Sequence, residues 1–354
     1  MWKDYNSTHE SISYISYQRV SRNDECDYCA TRKDHLNKNS DHNQEECTGC
    51  IELKLHLERA KAARVEYHRD QENVPSNTGV FTADMQKIIL LPKMTTKEHF
   101  FVSRLVVFNE TIASVSKDGD YVVLWHEAIA GRKATEVASA FIKCINMSGK
   151  DHFIIWADNC TAQNKNWWLF SSICWCVNQP WGPQDVELKY LERGHTYMRA
   201  DSVHGSIGRR MKKSAEVCNF DEFVDICTKS AQSIKPIVMQ HGDFYQVPEM
   251  HRTRTSKKVQ LPKISEIRSV KFSKGSRSLT YKREFDSEEV QVEFLKKNCD
   301  VHQVIPTATV PRGVSSTKKQ NLIKLAKSLP PSKVKFWHDL HVNDDNADLV
   351  ACFE

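Results

Sequence analysis

The sequence predicts a mixed α/β fold in which a mixed five-stranded sheet is flanked by helices. Strand-like apolar runs begin at residue 80, helical patterns separate the later runs, and a linker with Pro, Asn and Gly precedes them at 72–79. The chain has 354 residues, of which 40% are hydrophobic and 27% charged. This composition is typical of globular proteins with sizeable cores. We therefore expect three regions, at 1–78, 79–232 and 233–354.

The central region has a regular order of elements, β-β-β-α-β-α-β-α. The strand-like runs lie at 80–90, 101–108, 121–126, 153–157 and 186–190, and the helical patterns at 134–145, 166–175 and from 200 onward. Asp and Gly between the second and third runs indicate a hairpin turn. Three antiparallel strands followed by parallel strands with covering helices is the layout of an RNase H-like core. We expect a small zinc-knuckle and helix module before this core and a basic α+β tail after it.

Three aspartates stand at informative points of this pattern. Asp84 lies in the first strand-like run, Asp158 ends the fourth, and Asp201 opens the last helical pattern. Each also has a structural interpretation, as a solvent-facing strand residue, a helix N-cap or a first-turn acid. Together, two strand carboxylates and one helix carboxylate match the way acidic ligands surround two Mg²⁺ or Mn²⁺ ions in nucleases and integrases. They are our candidate catalytic residues.

Polar neighbours of these aspartates are auxiliary candidates. Asn159 and Lys165 belong to an amide-rich segment that could contact phosphate and sugar oxygens. His195 and His204 flank the third aspartate and could move a proton or bind phosphate, although a lone histidine is more often structural. Glu136 begins the first helical pattern, where its charge also suits the helix dipole.

The cysteines predict a metal site. Four of the twelve form the pairs Cys26-x-x-Cys29 and Cys47-x-x-Cys50, and the other eight are scattered through apolar segments. This spacing favours one structural Zn²⁺ held by four thiolates over unmetallated thiols. A nearby histidine could replace one of these ligands. The histidines concerned are His35, His42 and His56. Scattered free thiols fit a reducing compartment.

The positive charge is uneven. The formal net charge is +5, yet residues 251–283 alone hold eleven Lys or Arg against one acid. Such a stretch is either a solvated face or a surface for nucleic-acid phosphates, and its first part also resembles a weak nuclear-import signal. The candidate DNA contacts are Lys165, Arg209, Arg210, Arg252, Arg254, Lys257 and Lys258. We expect neither a signal peptide nor a membrane span, because no apolar run is long enough.

These motifs together resemble a transposon-derived family of animal genomes. Its members are similar to cut-and-paste DNA transposases with an acidic triad, and many are uncharacterised proteins with a domain of unknown function. The resemblance covers most of 26–340. It is carried by the two Cys-x-x-Cys pairs, Leu57–Arg64, Ala83-Asp-Met-Gln-Lys87, Trp125-His-Glu with Ala130-Gly-Arg132, Ala157–Lys165, Gly194–His204 and Leu322–Leu340. The segments around Asp158 and Gly194 are the most specific.

The resemblance implies a transposase- or integrase-like enzyme with an RNase H-like core and DNA as its substrate. The catalytic positions carried over are Asp84, Asp158 and Asp201, with two Mg²⁺ or Mn²⁺ ions. An active enzyme of this kind is expected in the nucleus, as a homo-oligomer. Longer members have additional sequence before the cysteine pairs, so this chain would be a truncated or domesticated copy. The alternative is a catalytically inactive, transposase-derived protein that binds DNA or protein.

Overall fold

The structure is a computed structural model that describes residues 26–38, 42–95, 102–116, 118–253, 260–346 and 349. The chain forms two compact units. The first contains the described residues up to Glu66 together with Leu191–Thr196, and the second contains Tyr67–Tyr190 and the described residues from Tyr197 onward. The boundary predicted near residue 233 therefore lies inside the second unit.

The first unit is built on two helices, α1 (Asp27–Lys38) and α2 (Thr48–Arg69), the last turn of which belongs to the second unit. Its own apolar core is small. Among the residues described there, the buried cluster consists of Cys26, Cys29 and Leu53, with Leu36 packed against it. So little buried apolar surface is seldom enough to stabilise a module of this size without a further constraint.

The second unit is a mixed α/β structure, as the sequence predicts. Its strands are β1 (Thr78–Met85), β2 (Ile89–Leu91), β3 (Leu105–Ser114), β4 (Asp120–His126), β5 (His152–Ala157), β6 (Asp185–Tyr190), β7 (Ile234–Val238), β8 (Ser269–Ser273), β9 (Leu279–Lys282) and β10 (Val290–Val292). Its helices are α3 (Ala134–Ser148), α4 (Trp167–Val177), α5 (Arg199–Lys213), α6 (Phe220–Thr228), α7 (Ser316–Ala326) and α8 (Pro331–His338).

All these described strands join one sheet, in the order β10-β9-β8-β6-β5-β1-β3-β4-β7, and β2 pairs with β3. At its centre, β1 is antiparallel to β3 and β3 to β4, whereas β1, β5 and β6 run parallel. The five predicted strands are thus the middle of a ten-stranded sheet in the described part of the chain. The prediction counted too few strands, because strands from the predicted C-terminal region extend the sheet at both edges. There β7 pairs with β4, and β8 pairs with β6.

Helices of different character cover the two faces of this sheet. The largest core lies between one face and the helices α3 and α4, whose apolar side chains are nearly all buried. On the other face α5 packs against β1 and β3 and buries Ala200, Val203 and Ile207. The backbone N–H of Ala200 donates to Thr82 Oγ1 at 3.0 Å. Since side chains alternate along a strand, Thr82 and Asp84 share this second face.

A buried ion pair fastens α7 to the end of β4. Glu127 Oε1 lies 2.6 Å from Lys318 Nζ, and the two side chains are 0% and 1% exposed. The same oxygen accepts the backbone N–H of Val106 at 2.8 Å, and Oε2 accepts that of Leu349 at 3.1 Å. Glu127 therefore has three partners in the interior, which offsets the desolvation of its charge.

We predict that Lys318→Met destabilises the protein by about 3–5 kcal/mol, because it leaves the carboxylate of Glu127 charged, buried and without its counter-ion. The measurement is the free energy of unfolding from urea titration. Lys324→Met on the exposed side of α7 is the control and should change stability by less than about 0.5 kcal/mol. Equal effects of the two changes would contradict a special role for the pair.

Candidate functional site

Two of the three aspartates lie at the ends of neighbouring parallel strands, Asp84 as the last residue but one of β1 and Asp158 directly after β5. Ala83 of β1 lies beside Ala157 of β5, so the next residues, Asp84 and Asp158, come at corresponding positions of the two chains. In parallel strands such residues project from the same face. Local sequence explains this placement, because each aspartate comes directly after a buried alanine of its strand, Ala83 or Ala157. The charge of Asp158 accordingly raises the pKa of Asp84, although Asp158 is not one of the residues whose ligand atoms cluster with that of Asp84.

Asp201 reaches the same place from the first turn of α5. Its Oδ2 accepts the backbone N–H of Met198 at 2.8 Å, which fixes the carboxylate and caps the helix. His204 lies three residues along α5, on the same side of the helix, and its Nδ1 is 3.6 Å from Asp84 Oδ2. One ligand atom from each of Asp84, Asp201 and His204 lies within 4.8 Å of the other two. This grouping has the size of a metal coordination shell.

The crowding of acids changes their protonation. Burial, followed by the charges of Asp158 and Asp201, raises the pKa of Asp84 to about 8. Burial lowers the pKa of His204 to about 4, so that its imidazole is neutral near pH 7. At that pH Asp84 therefore holds a proton that an aspartate of ordinary pKa would have lost, and it lies beside a neutral imidazole.

Glu110 is a fourth acid near this group, and the sequence interpretation missed it. It lies on β3, is 0% exposed, and neither of its carboxylate oxygens has a hydrogen-bond partner in the described part of the chain. Burial, then the charges of Asp84 and Asp158, raises its pKa well above the usual range. The available signal was an acid within the apolar run Leu105–Ser114, where all ten residues are buried.

Other polar atoms around the acids also lack partners. Asp158 Oδ1 accepts two hydrogen bonds, one from the backbone N–H of Cys160 at 3.0 Å and one from Asn164 Nδ2 at 2.8 Å. Asn164 Oδ1 and His204 Nε2 are buried without a hydrogen-bond partner among the described residues. Buried oxygens and nitrogens of this kind are normally satisfied by a protein group, a water or an ion. The donor set around Asp84 is rich in oxygen, which suits a hard divalent cation.

Lys165 does not lie on a surface where it could contact DNA, and the prediction for this residue is corrected. It is 1% exposed, its Nζ donates to Asn159 Oδ1 at 2.7 Å, and the ammonium lies 4.6 Å from the ring centroid of Tyr190. The polar residues next to it in the sequence suggested a phosphate contact, but its ammonium group instead binds Asn159 in the loop that follows β5. Asn159 is consequently fixed beside Asp158.

The remaining candidates have mixed positions. Glu136 lies in the first turn of α3, where Thr135 Oγ1 donates to it at 3.2 Å. Arg209 and Arg210 are exposed on α5. Arg252 donates from Nε to the carbonyl of Leu295 at 2.9 Å and lies 3.6 Å from Glu293, so it joins two segments of the second unit. The other three basic candidates, Arg254, Lys257 and Lys258, lie outside the described residues.

The cysteine pairs belong to two clusters, which corrects the predicted site with four cysteines. Cys26 and Cys29 lie with His56 and His195, and Cys47 and Cys50 with His35 and His42; within each cluster the ligand atoms are at most 4.8 Å apart. His195, predicted as an auxiliary residue of the acidic site, is thus a member of a cluster in the first unit. The spacing in the sequence shows that the two cysteines of each pair lie close together, but it does not show which other residues complete the metal site. It therefore suggested one site with four cysteines. Both donor sets fit zinc.

Comparison with known proteins finds one family. Residues 139–300 match the model of a family described as Domain of unknown function (DUF7869). No curated protein and no solved structure matches the chain. The matched segment contains Asp158, Asp201 and His204, whereas Asp84 precedes it. Among the helices in the described ranges, none is sufficiently long and apolar to cross a membrane.

We predict that the metal-free protein loses stability as the pH rises from about 6.5 to about 8, because below about 6.5 the lowered pKa of the buried His204 acts in the opposite direction. In this interval the unfolded chain has released the proton of Asp84, whereas the folded chain retains it because the folded pKa is about 8. The raised pKa of Asp84 therefore contributes stability at low pH, and this contribution is lost as the pH rises to the folded pKa. Asp84→Asn should flatten this fall in the free energy of unfolding, measured by urea titration at each pH. Asp225→Asn, which removes an exposed carboxylate, should leave it unchanged, and equal slopes for all three proteins would refute the assignment.

Proposed function

We propose that the chain is a transposase- or integrase-like protein that cleaves and joins phosphodiester bonds of DNA with the help of divalent metal ions. The observation that carries the proposal is that Asp84 lies within 4.8 Å of ligand atoms of Asp201 and His204, and that the charge of Asp158, at the end of the adjacent parallel strand, also raises its pKa. Buried acids that raise one another's pKa are costly to a fold and are typical of functional sites. The resemblance of the sequence motifs to cut-and-paste transposases supports the same reaction.

The sheet supports an RNase H-like core. Its central strands follow the order β4-β3-β1-β5-β6, with three antiparallel neighbours and then two parallel additions. This is the arrangement that the sequence pattern predicts for such a core. Acids at the ends of β1 and β5 and on the helix after β6 agree with it. The strands β7 to β10 are additions outside this central set.

Mg²⁺ or Mn²⁺ is the cofactor that we propose, with Asp84, Asp158 and Asp201 as the ligands of two ions. The fit rests on oxygen donors and on buried atoms of Glu110 and Asn164 nearby that have no hydrogen-bond partner among the residues that the structure describes. Bound there, such ions supply a Lewis acid that activates an attacking water or hydroxyl and stabilises the leaving oxygen. Metal binding requires the carboxylates in their charged form, so it must displace the proton from Asp84.

The side chains around the acids have separate tasks in this proposal. Asp158 is oriented by its bonds from Cys160 and Asn164, and Asp201 by the backbone of Met198. In this proposal the orientation lets the two carboxylates face the reacting centre. The neutral imidazole of His204 can accept a proton, or it can donate a hydrogen bond to a phosphate oxygen.

DNA would reach the acids along α5. This helix carries Asp201 at its start and the exposed Arg209 and Arg210 nearer its end. Both arginines also donate within the protein, Arg209 to Ser206 Oγ and Arg210 to the carbonyl of Lys229, and several described cations of the 251–283 stretch have partners as well. Lys274 and Arg277 donate to backbone carbonyls, and Lys271 and Arg283 pair with Asp185 and Glu266. A DNA substrate would place an active enzyme in the nucleus, and joining two DNA ends would favour a homo-oligomer.

A second candidate function is binding of DNA or protein without catalysis, by a domesticated derivative of such an enzyme. Exposed apolar side chains on α2 favour it, since they suit a protein partner better than water. They are Ile51, Leu55, Leu57 and Val65, each 42–51% exposed. A purified protein that binds DNA but never nicks it would support this second candidate.

We predict Mn²⁺-dependent nicking of supercoiled DNA, lost by at least about 100-fold in Asp84→Asn, Asp158→Asn and Asp201→Asn. Removing a metal ligand takes away several kcal/mol of transition-state stabilisation. Asparagine at 201 can still accept the bond from Met198, so the fold should persist, as circular dichroism would show. Asp225→Asn should nick at the wild-type rate. Unchanged nicking in all three triad variants would end the catalytic proposal.

We also predict that Arg209→Gln with Arg210→Gln flattens the dependence of log affinity for duplex DNA on log salt by up to about 1.8, or 0.9 per phosphate contact. The effect should be the same on unrelated duplexes, because phosphate contacts carry no sequence information. Fluorescence anisotropy at several salt concentrations measures it. Lys324→Gln with Lys327→Gln, exposed on or next to α7, matches the charge change. If the slope falls only in this control, the DNA-binding surface does not lie on α5.

A further inference from the structure

The two Cys/His clusters have the dimensions of occupied zinc sites. Zn–S bonds of about 2.3 Å and Zn–N bonds of about 2.05 Å give a tetrahedron with sulfur–nitrogen edges of about 3.6 Å and a nitrogen–nitrogen edge of about 3.3 Å. In the first cluster the edges Cys26 Sγ to His56 Nε2, Cys29 Sγ to His195 Nε2 and His195 Nε2 to His56 Nε2 are 3.5, 3.4 and 3.1 Å. All three lie close to the tetrahedral values.

The second cluster repeats this geometry with different residues. His42 Nε2 is 3.1 Å from Cys50 Sγ, and His35 Nε2 is 3.4 Å from Cys47 Sγ. The backbone N–H groups of Cys50 and Ile51 donate to the carbonyl of Cys47 at 2.9 and 3.0 Å, so the pair lies in the tight turn that begins α2. Each of the two cysteine pairs is therefore completed by its own two histidines.

We propose that the first unit holds two separate structural zinc ions, each bound by two cysteine thiolates and two histidine Nε2 atoms. Four protein ligands fill each tetrahedron, so neither ion has an open position for catalysis. Because the apolar core of this unit is small, zinc binding can supply folding free energy that burial of apolar side chains does not. The proposal is independent of any reaction at the acidic site.

The surroundings of the first cluster strengthen the assignment. Glu192 Oε1 lies 3.4 Å from His56 Nδ1, the ring nitrogen directed away from the cluster, and both side chains are 12% exposed. A carboxylate in this position fixes the histidine tautomer and raises its basicity toward a metal. Gly194 has φ of 76°, and a Cβ at this position would be 2.4 Å from Cys26 Sγ, so only glycine lets the Leu191–Thr196 segment approach the thiolate.

The test begins with the wild-type chain, purified without added chelator. Elemental analysis should give about two equivalents of zinc, and X-ray absorption at the zinc edge should give an average shell of two sulfurs and two nitrogens. One equivalent with a shell of four sulfurs would restore the site predicted from spacing and overturn the proposal. Finding no zinc would overturn it as well.

Single variants then separate the two ions. His195→Ala and Cys26→Ser should each remove about one equivalent, His42→Ala and Cys50→Ser the other, and a pair drawn from both clusters should remove both. A single site of four cysteines predicts instead that the histidine variants keep all their zinc. Cys218→Ser and His338→Asn, which change residues outside both clusters, are the matched controls and should keep two equivalents.

A milder change guards against variants that fail to fold. Glu192→Gln keeps all eight ligands, and loss of an outer carboxylate should weaken one of the two ions about 10–100-fold in a chelator titration. The other ion should leave at its wild-type chelator concentration. If both ions weaken equally, or neither does, Glu192 does not support one particular site and the assignment of the first cluster fails.

Discussion

Burial of the carboxyl group of Asp84 beside other acids, near the ends of two neighbouring parallel strands, is the constraint around which this part of the second unit is organised. Parallel pairing of β1 with β5 brings Asp84 beside Asp158, and burial makes their charges costly. The raised pKa of Asp84 is the direct expression of that cost. The neighbouring elements are arranged to hold the acids in spite of it. Thr82 anchors α5, and Asn164 and Lys165 fix the loop after β5.

The parts of this arrangement that were predictable from sequence are those that depend on local pattern. Apolar runs and helical periodicity depend on nearby residues, so the order of strands and helices up to β6 could be predicted. The aspartates stood out because Asp84 interrupts an apolar run, Asp158 ends one and Asp201 opens a helical pattern. Strands β8 to β10 are only three to five residues long and were expected in a separate α+β tail. No local pattern shows that β8 pairs with β6, and so the sheet was predicted too small.

What could not be predicted depends on contacts between distant positions. Glu110 is one polar residue in a long buried strand, and only the pairing of β3 with β1 brings it close to the acids. His56 and His195 are 139 residues apart, and no spacing rule connects them. The interpretation of Lys165 failed for a related reason. A lysine among amides suggests a wet surface, whereas packing against Tyr190 and a bond to Asn159 keep this one in the interior.

The discontinuity of the first unit has a consequence for the order in which the protein is made. Leu191–Thr196 follows β6, so the ribosome must complete the strands β1 to β6 before His195 exists. The second cluster uses only residues 35–50 and can assemble as soon as α2 has left the exit tunnel. The first cluster must wait, and Cys26, Cys29 and His56 remain without their fourth partner for most of the synthesis of the central strands. The nascent chain thus carries an incomplete ligand set that only its own later sequence can close.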